Sequence, residues 1–287
     1  MSAAIELDVR PPGPYRLPPA GRDGILRRRR GALVRVLHRD GEHEATVAAW
    51  PTAAAVRLRA DAPTSDTAAW AIERMRFALG LDHDVRPFQR EFRRDPILGP
   101  IIRRKPWIRP QRRAEPFEAL AWAITEQLIE SERASRIQRA LTWRYGRRSA
   151  CGTLRAAPRA ADLARRCQPE LQACDLSAGR SAALIRASRE VATGRVDLAQ
   201  HEPAWQRLMR IREIGPWTLE KLAFHGQGRD DQLPAGDLAY VKLVGRLAGL
   251  GRRATVEEVR EFYAPYAPYA ALAGLYMLHG RAMLRPA

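Results

Sequence analysis

Asp237 is the residue in this chain around which chemistry is easiest to build. It follows Leu233, Pro234, Ala235 and Gly236, a bend fixed by a Pro and a Gly, and it precedes an apolar-periodic segment opening at Leu238. A carboxylate at such a bend has two uses. It can cap the new helix and stabilise it by about 1 kcal/mol. It can also stand as a fixed anion beside a centre that becomes positive, such as a sugar whose N-glycosidic bond is breaking. Both uses remain open from the residues alone.

Upstream lies Leu208 to Ala223, L M R I R E I G P W T L E K L A. A helix ends around Arg212, Gly215 permits a tight turn, Pro216 suits a helix start, and Thr218 opens a second apolar-periodic helix. Such a helix, hairpin and helix can aim backbone N–H groups at one phosphate, or can be an ordinary connection between packed helices. Trp217 places an indole at the hairpin. Lys221, one helical turn further on, reads as a solvated helix lysine.

Ile211 to Asp237 resembles the helix-hairpin-helix, Gly/Pro-rich loop and aspartate signature of the HhH-GPD base-excision DNA glycosylases. The aspartate stands twenty positions after the Trp, as in that family. Two further runs are similar to the branch of bacterial type II 3-methyladenine glycosylases: P F E A L A W A I T E Q L I from Pro116 to Ile129, and Y A P Y A P Y A A L from Tyr263 to Leu272. The resemblance implies hydrolysis of the N-glycosidic bond of damaged, alkylated bases in duplex DNA, with Asp237 catalytic. It implies a base pocket lined by Trp217, Tyr276, Leu275 and Glu126, and DNA contacts from Ile214, Gly215 and Thr218. It also implies a Na⁺ or K⁺ ion on hairpin backbone carbonyls near Ile211 and Ile214, with no metal held by side chains.

The departures from the pattern are informative. Bifunctional relatives carry a Lys where Trp217 stands, and an indole cannot form a Schiff base, so water is the expected nucleophile. Glu213 replaces the first hairpin glycine and brings a carboxylate near the expected phosphate. Glu126 stands where a Gly usually precedes the Gln. A non-catalytic DNA-binding protein, or an enzyme of the same fold for deaminated or oxidised bases, are the rival readings.

Arg103 to Arg113 holds six Arg or Lys residues with Trp107 and Ile108 among them. It reads either as a solvated basic linker or as a strand-gripping loop whose apolar tip enters the base stack. In the second case the resemblance places Ile108 near the intercalating wedge, with Trp107 as competitor and Arg109 beside them as a DNA contact.

Composition agrees with a polyanionic partner. Forty-nine Lys and Arg against 32 Asp and Glu give a net charge of +17, which favours nucleic acid. The expected partner is double-stranded DNA carrying a damaged base, met by a monomer. Cys151, Cys167 and Cys174 are too few for a four-cysteine cluster, so no iron–sulfur centre or disulfide framework is expected. No apolar stretch reaches membrane-spanning length and Met1 to Arg10 has no signal-peptide core, so a cytoplasmic, nucleoid-associated protein is expected.

The elements that must position these residues fall into two classes. Ile5 to Val9, Leu33 to His38, Glu44 to Ala49 and Ala54 to Arg59 alternate as strands, with a tight turn through Asp40 and Gly41, while Arg27 to Arg30 reads as a charged turn. From Thr64 the period becomes helical, and after His83 the strand signal ends. Helices are expected at 87–93, 96–102, 116–145, 160–167, 178–193, 204–212, 218–225, 238–248, 256–263 and 270–283. The predicted fold is mainly α with an N-terminal α+β domain: a small antiparallel sheet plus helix, then two helical subdomains. Expected boundaries are 1–85 for the α+β domain and 86–112 for a connecting segment that packs with the C-terminal helices. A helical domain with the hairpin follows at 113–232, and 233–287 completes the cleft.

Overall fold

The computed structural model describes residues 3–284; the outermost ends of the first and last expected domains, 1–2 and 285–287, lie outside the described residues. Five strands form one antiparallel sheet in the order β1-β5-β4-β3-β2: β1 (Ala3–Val9), β2 (Arg27–Arg29), β3 (Ala32–Arg39), β4 (His43–Pro51) and β5 (Val56–Ala62). The turn between β3 and β4 contains Asp40 at φ 51° and Gly41 at φ 79°, the left-handed pair that matches strand twist. Arg27–Arg29 is not a turn: it pairs with β3 as the edge strand, and the turn is Arg30 and Gly31. Three consecutive arginines keep this edge charged, which discourages pairing with another chain.

Helix α1 (Ser65–Leu79), capped by the Thr64 side chain and ended by Gly80 in the left-handed region, covers the sheet. Ala68, Ala71, Ile72, Met75 and Leu79 pack on Leu33, Ala45, Val47, Ala49 and Leu58. This is the i, i+3, i+4 stripe of an amphipathic helix meeting the alternating face of a sheet.

The rest is helical. α2 (Arg86–Glu91) and α3 (Leu98–Arg104) precede α4 (Pro116–Glu126) and α5 (Ser131–Tyr145). Then come α6 (Ala160–Ala164), α7 (Gln168–Gln172), α8 (Ala178–Ala192), α9 (His201–Leu208) and α10 (Pro216–Leu222), which runs on as a π-turn over Ala223–Gln227. α11 (Leu238–Leu247), α12 (Val256–Tyr263) and α13 (Ala270–Gly280) end the fold. The continuous helix expected at 116–145 is broken at 127–130, because Leu128 takes φ 55° and turns the chain. The helix expected at 160–167 ends early, and Gln168–Gln172 forms a separate turn of helix.

Two further cores hold the helices. Residues of α4, α5, α8, α9 and α10 share one, around Leu120, Ile124, Leu184 and Leu219. α2 and α3 pack with α11 to α13 in the other, around Phe88, Ile101, Tyr263 and Tyr276. Gly226 allows the π-turn to lie against α4: a Cβ there would stand 2.7 Å from the Ala119 Cβ and 3.1 Å from the Pro116 Cα. The sheet joins the helical body through Arg35 on β3, whose Nη2 lies 2.8 Å from Glu118 Oε2 on α4, both side chains being buried. Breaking such a buried pair from one side costs about 3–5 kcal/mol, so it fixes the sheet's position on α4. Among the described residues no helix is long and apolar enough to cross a membrane.

Candidate active site

Asp237 is the N-cap of α11. Its Oδ1 accepts the Ala239 N–H at 2.9 Å, and the preceding bend is closed by the Asp237 N–H donating to Pro234 O at 2.9 Å. Leu233, Pro234 and Ala235 are buried, which anchors the bend, while Asp237 itself stays half-exposed. The two uses of this carboxylate are therefore compatible: one oxygen caps, and the residue still borders open space.

That space is a cleft of ≈ 1430 Å³ whose lining includes Asp237, Trp217, Glu126, Lys221, Gln138, Arg113 and Lys242. It exceeds the few hundred to about 1,000 Å³ of ordinary small-molecule pockets, so it has room for a nucleotide with part of its strand. Trp217 is half-buried and packs on the bend before Asp237, with its Cδ1 3.7 Å from where a Cβ on Gly236 would stand. Its Nε1 is buried and has no acceptor among the described residues, an unspent donor beside the cleft.

Lys221 is not a solvated helix lysine. Its side chain is only 17% exposed, its Nζ lies 2.7 Å from Glu126 Oε2, and it sits 5.4 Å from the Trp217 ring centroid. Burial alone would push its pKa down; the charges of Glu126 and Asp237 outweigh that and hold it above the ordinary lysine value. Burial alone would likewise raise Glu126, but the Lys221 ammonium brings it down to about 2. Gln138 Nε2 donates to the second oxygen, Glu126 Oε1, at 3.0 Å. One turn beyond Lys221, His225 Nδ1 donates to Gln111 O (2.9 Å), and burial with the nearby Lys221 charge drops its pKa to about 3.

The N-terminal segment supplies a wall of the cleft through Pro19, Ala20, Gly21, Arg22 and Asp23. Asp23 is buried and fixed there by Arg113 Nη1 at 2.7 Å and Trp122 Nε1 at 3.0 Å. Nothing in the sequence of this Pro- and Gly-containing stretch signals that role, which depends on the sheet docking against α4.

Several expected pocket and DNA contacts lie elsewhere. Tyr276 is fully buried in the C-terminal core, its hydroxyl bonded to Ile108 O (3.2 Å) and Gln89 Nε2 (2.8 Å), and its ring tilted on Phe88. Leu275 packs on the same core and does not line the cleft; Leu278 does. Ile108 is 5% exposed and belongs to that core, so it cannot enter a base stack. Trp107 is stacked beneath Arg16, and Arg109 is turned inward onto His83 O (3.1 Å) and Pro12 O (2.9 Å). The segment 103–113 is thus largely packed against the protein, neither a free linker nor a strand-gripping loop.

Among the described residues the most exposed large apolar side chain is that of Leu128, at φ 55° between α4 and α5. The sequence offers one faint signal for this turn, the Glu130–Ser131 pair that starts a new helix. Its neighbour Gln127 donates from Nε2 to Glu213 O (2.6 Å) and to Thr218 Oγ1 (2.8 Å). Arg180 Nη1 closes the other side, donating to Thr125 O at 3.1 Å and Gln127 O at 3.3 Å. Thr218 is buried with its hydroxyl engaged, so it braces the hairpin and its side chain is not available to a strand.

In the hairpin, the Ile214 N–H is spent on Ile211 O (3.0 Å) and the Ile214 side chain is buried, while Gly215 has open space around its Cα. Glu213 is at φ 75°, and its carboxylate lies over Gly179 at the start of α8, Oε1 being 3.1 Å from where a Cβ would stand.

No protein-family model matches the sequence. A DNA-3-methyladenine glycosylase of Bacillus subtilis (strain 168) is 23% identical over 204 residues, 69% of this chain and 67% of the relative. The solved 3-methyladenine DNA glycosylase of Archaeoglobus fulgidus superposes with a TM-score of 0.76 at 22% identity, covering 88% of each chain. The 8-oxoguanine glycosylase/lyase of Clostridium acetobutylicum, in complex with double-stranded DNA containing cytosine opposite 8-oxoG, does so with a TM-score of 0.66 at 15% identity, over 90% of this chain and 98% of that one. The chain therefore shares the fold of these glycosylases.

Proposed function

We propose that the protein is a monofunctional DNA glycosylase of base excision repair, acting as a monomer on damaged bases in duplex DNA. The observation that carries this reading is the sharing of one cleft by Asp237, Trp217 and Lys221, whose lining also includes Ile129, next in the chain to the exposed Leu128. Leu128 is suited to enter the stack where a nucleotide leaves it, an apolar wedge on a turn that two side chains hold rigid. The hairpin with Gly215 at its tip grips a phosphate of the same strand. The carbonyls of Ile211 and Ile214 would hold a monovalent cation there: Ile211 O accepts one N–H and keeps a second lone pair for it. Such an ion would offset phosphate charge.

Cleavage then follows from the placement of Asp237. As the C1′–N bond breaks, its electron pair leaves with the base and the sugar becomes cationic. The Asp237 carboxylate, held in one orientation by the Ala239 N–H, stabilises that charge from a fixed position. Water adds to C1′, and its proton passes to Asp237 or to solvent. No lysine stands at the Trp217 position, and Lys221 is held as a cation by Glu126, so neither offers the free amine that strand cleavage requires. The 3-methyladenine named in two of the relatives is the substrate to test first.

The test is direct. Purified protein is incubated with duplexes each carrying one defined lesion, 3-methyladenine and 7-methylguanine among them, and alkali-labile sites are counted. The reading predicts abasic sites without strand breaks before alkali, and no adduct on borohydride treatment. Lesion-bearing duplex that is bound but left intact across the whole panel contradicts it.

A further inference from the structure

We propose that Lys221 and Glu126 form a hydrogen-bonding edge inside the cleft that selects neutral bases bearing a ring carbonyl beside an N–H. Hypoxanthine and 8-oxoguanine carry such an edge, as guanine itself does, whereas adenine and its N-alkyl derivatives lack it. This rests on the glycosylase reading and narrows the bases it covers.

The pair is built for recognition as well as for charge balance. An ammonium has three donors, and Lys221 spends one on Glu126 Oε2, with no further acceptor bonded to it among the described residues. Glu126 is oriented by Gln138 on its other oxygen, and Gln138 is in turn held against Thr125 Oγ1 at 3.1 Å. Each carboxylate oxygen can accept two hydrogen bonds, so capacity for a base N–H remains. Donor and acceptor lie 2.7 Å apart and both residues border the cleft that holds Asp237. The adjacent O and N–H of a lactam present the matching pattern at a similar spacing.

Charge argues the same way. A cationic N-alkylpurine stacking on Trp217 would meet an aromatic face already approached by the Lys221 ammonium, with Arg113 also on the lining. Like charges at that range oppose the cation–π gain. A neutral base meets no such opposition. An ion pair whose only role was to pin α4 to α10 would have no use for open space beside it.

The experiment compares, in otherwise identical duplexes, hypoxanthine with unsubstituted purine, which lacks the carbonyl and its neighbouring N–H. A 3-methyladenine duplex is run alongside as the cationic, easily released base that lacks the lactam edge. Single-turnover excision by the intact protein is expected to favour hypoxanthine over purine by roughly 10- to 100-fold, the range of one charge-assisted hydrogen bond. In Lys221→Met the ratio should collapse toward unity, and in Lys221→Arg it should largely return; thermal melting reports whether each variant folds. Parity between hypoxanthine and purine in the unaltered protein overturns the proposal, and that measurement needs no variant. If 3-methyladenine alone is released, the glycosylase reading stands and this inference fails. If none of the three is released, this inference fails, and the glycosylase reading fails with it only if the whole lesion panel is also left intact.

Discussion

Gln127 Nε2 lies 2.6 Å from the backbone carbonyl of Glu213, so the turn that displays Leu128 and the hairpin that carries Gly215 are tied into one unit. A wedge is effective only if its distance from the phosphate clamp is fixed, since a loose apolar side chain gives up entropy on entering the stack. Replacing Leu128 by Ala should leave the melting temperature unchanged, because the side chain packs on nothing, and lower single-turnover excision by roughly tenfold. Gln127→Ala should lower excision similarly while also lowering stability by about 1 kcal/mol, for the two hydrogen bonds lost. Stopped-flow excision with thermal melts separates the two. A Leu128→Ala protein with undiminished excision would remove the wedge from the account.

Glu213 carries a strain that its residue type does not need. At φ 75° a side chain costs about 1 kcal/mol relative to glycine. Glu213→Gly should therefore raise stability by about that amount and tighten binding to undamaged duplex, since a carboxylate beside the clamp is removed. Urea unfolding and a binding titration at fixed salt check both. Loss of stability would mean that the carboxylate's seat over Gly179 outweighs the strain.

Acid should destabilise this protein through His225. Burial and the Lys221 charge lower its pKa from 6.5 to about 3, so the folded form resists a proton that the unfolded chain takes readily. The unfolded state then binds more protons between those values, and stability is complete above about pH 6.5 and declines as pH falls toward 3. Glu126, held down at about 2, contributes in the same sense below its ordinary 4.5. Melting temperatures measured from pH 7 to pH 4 should fall steadily. In His225→Asn the slope should flatten by up to about 1.4 kcal/mol per pH unit; an unchanged slope would place the titrating group elsewhere.

What could be read from the sequence, and what could not, follows from the range of the interactions involved. The strands β3 and β4 and the Asp40–Gly41 turn are local patterns, and local chemistry is what residue order records. The bend before Asp237 is local as well, and so is its N-cap geometry. Leu128 is not legible in the sequence because an apolar residue inside a helical pattern reads as core, and only the fold forces it to φ 55° and into solvent. The same ambiguity ran the other way for Ile108 and Tyr276, whose types suit a wedge or a pocket but whose positions put them in the packing around Phe88. Lys221 looked solvated because its partner, Glu126, lies on a different helix. α4 and α10 come together through the glycine at 226, a contact that no spacing within either helix encodes.

The central claim is that Asp237 acts on the sugar as well as capping α11. Asp237→Asn keeps an oxygen that can accept the Ala239 N–H, so the cap and the fold are retained while the charge is lost. Single-turnover release of whichever base the lesion panel shows to leave fastest, measured for both proteins from a defined duplex at equal melting temperature, separates the two roles. The account predicts a fall of at least roughly 100-fold, the scale on which loss of a preorganised transition-state contact is felt. Release at the parental rate would leave Asp237 a helix cap and nothing more.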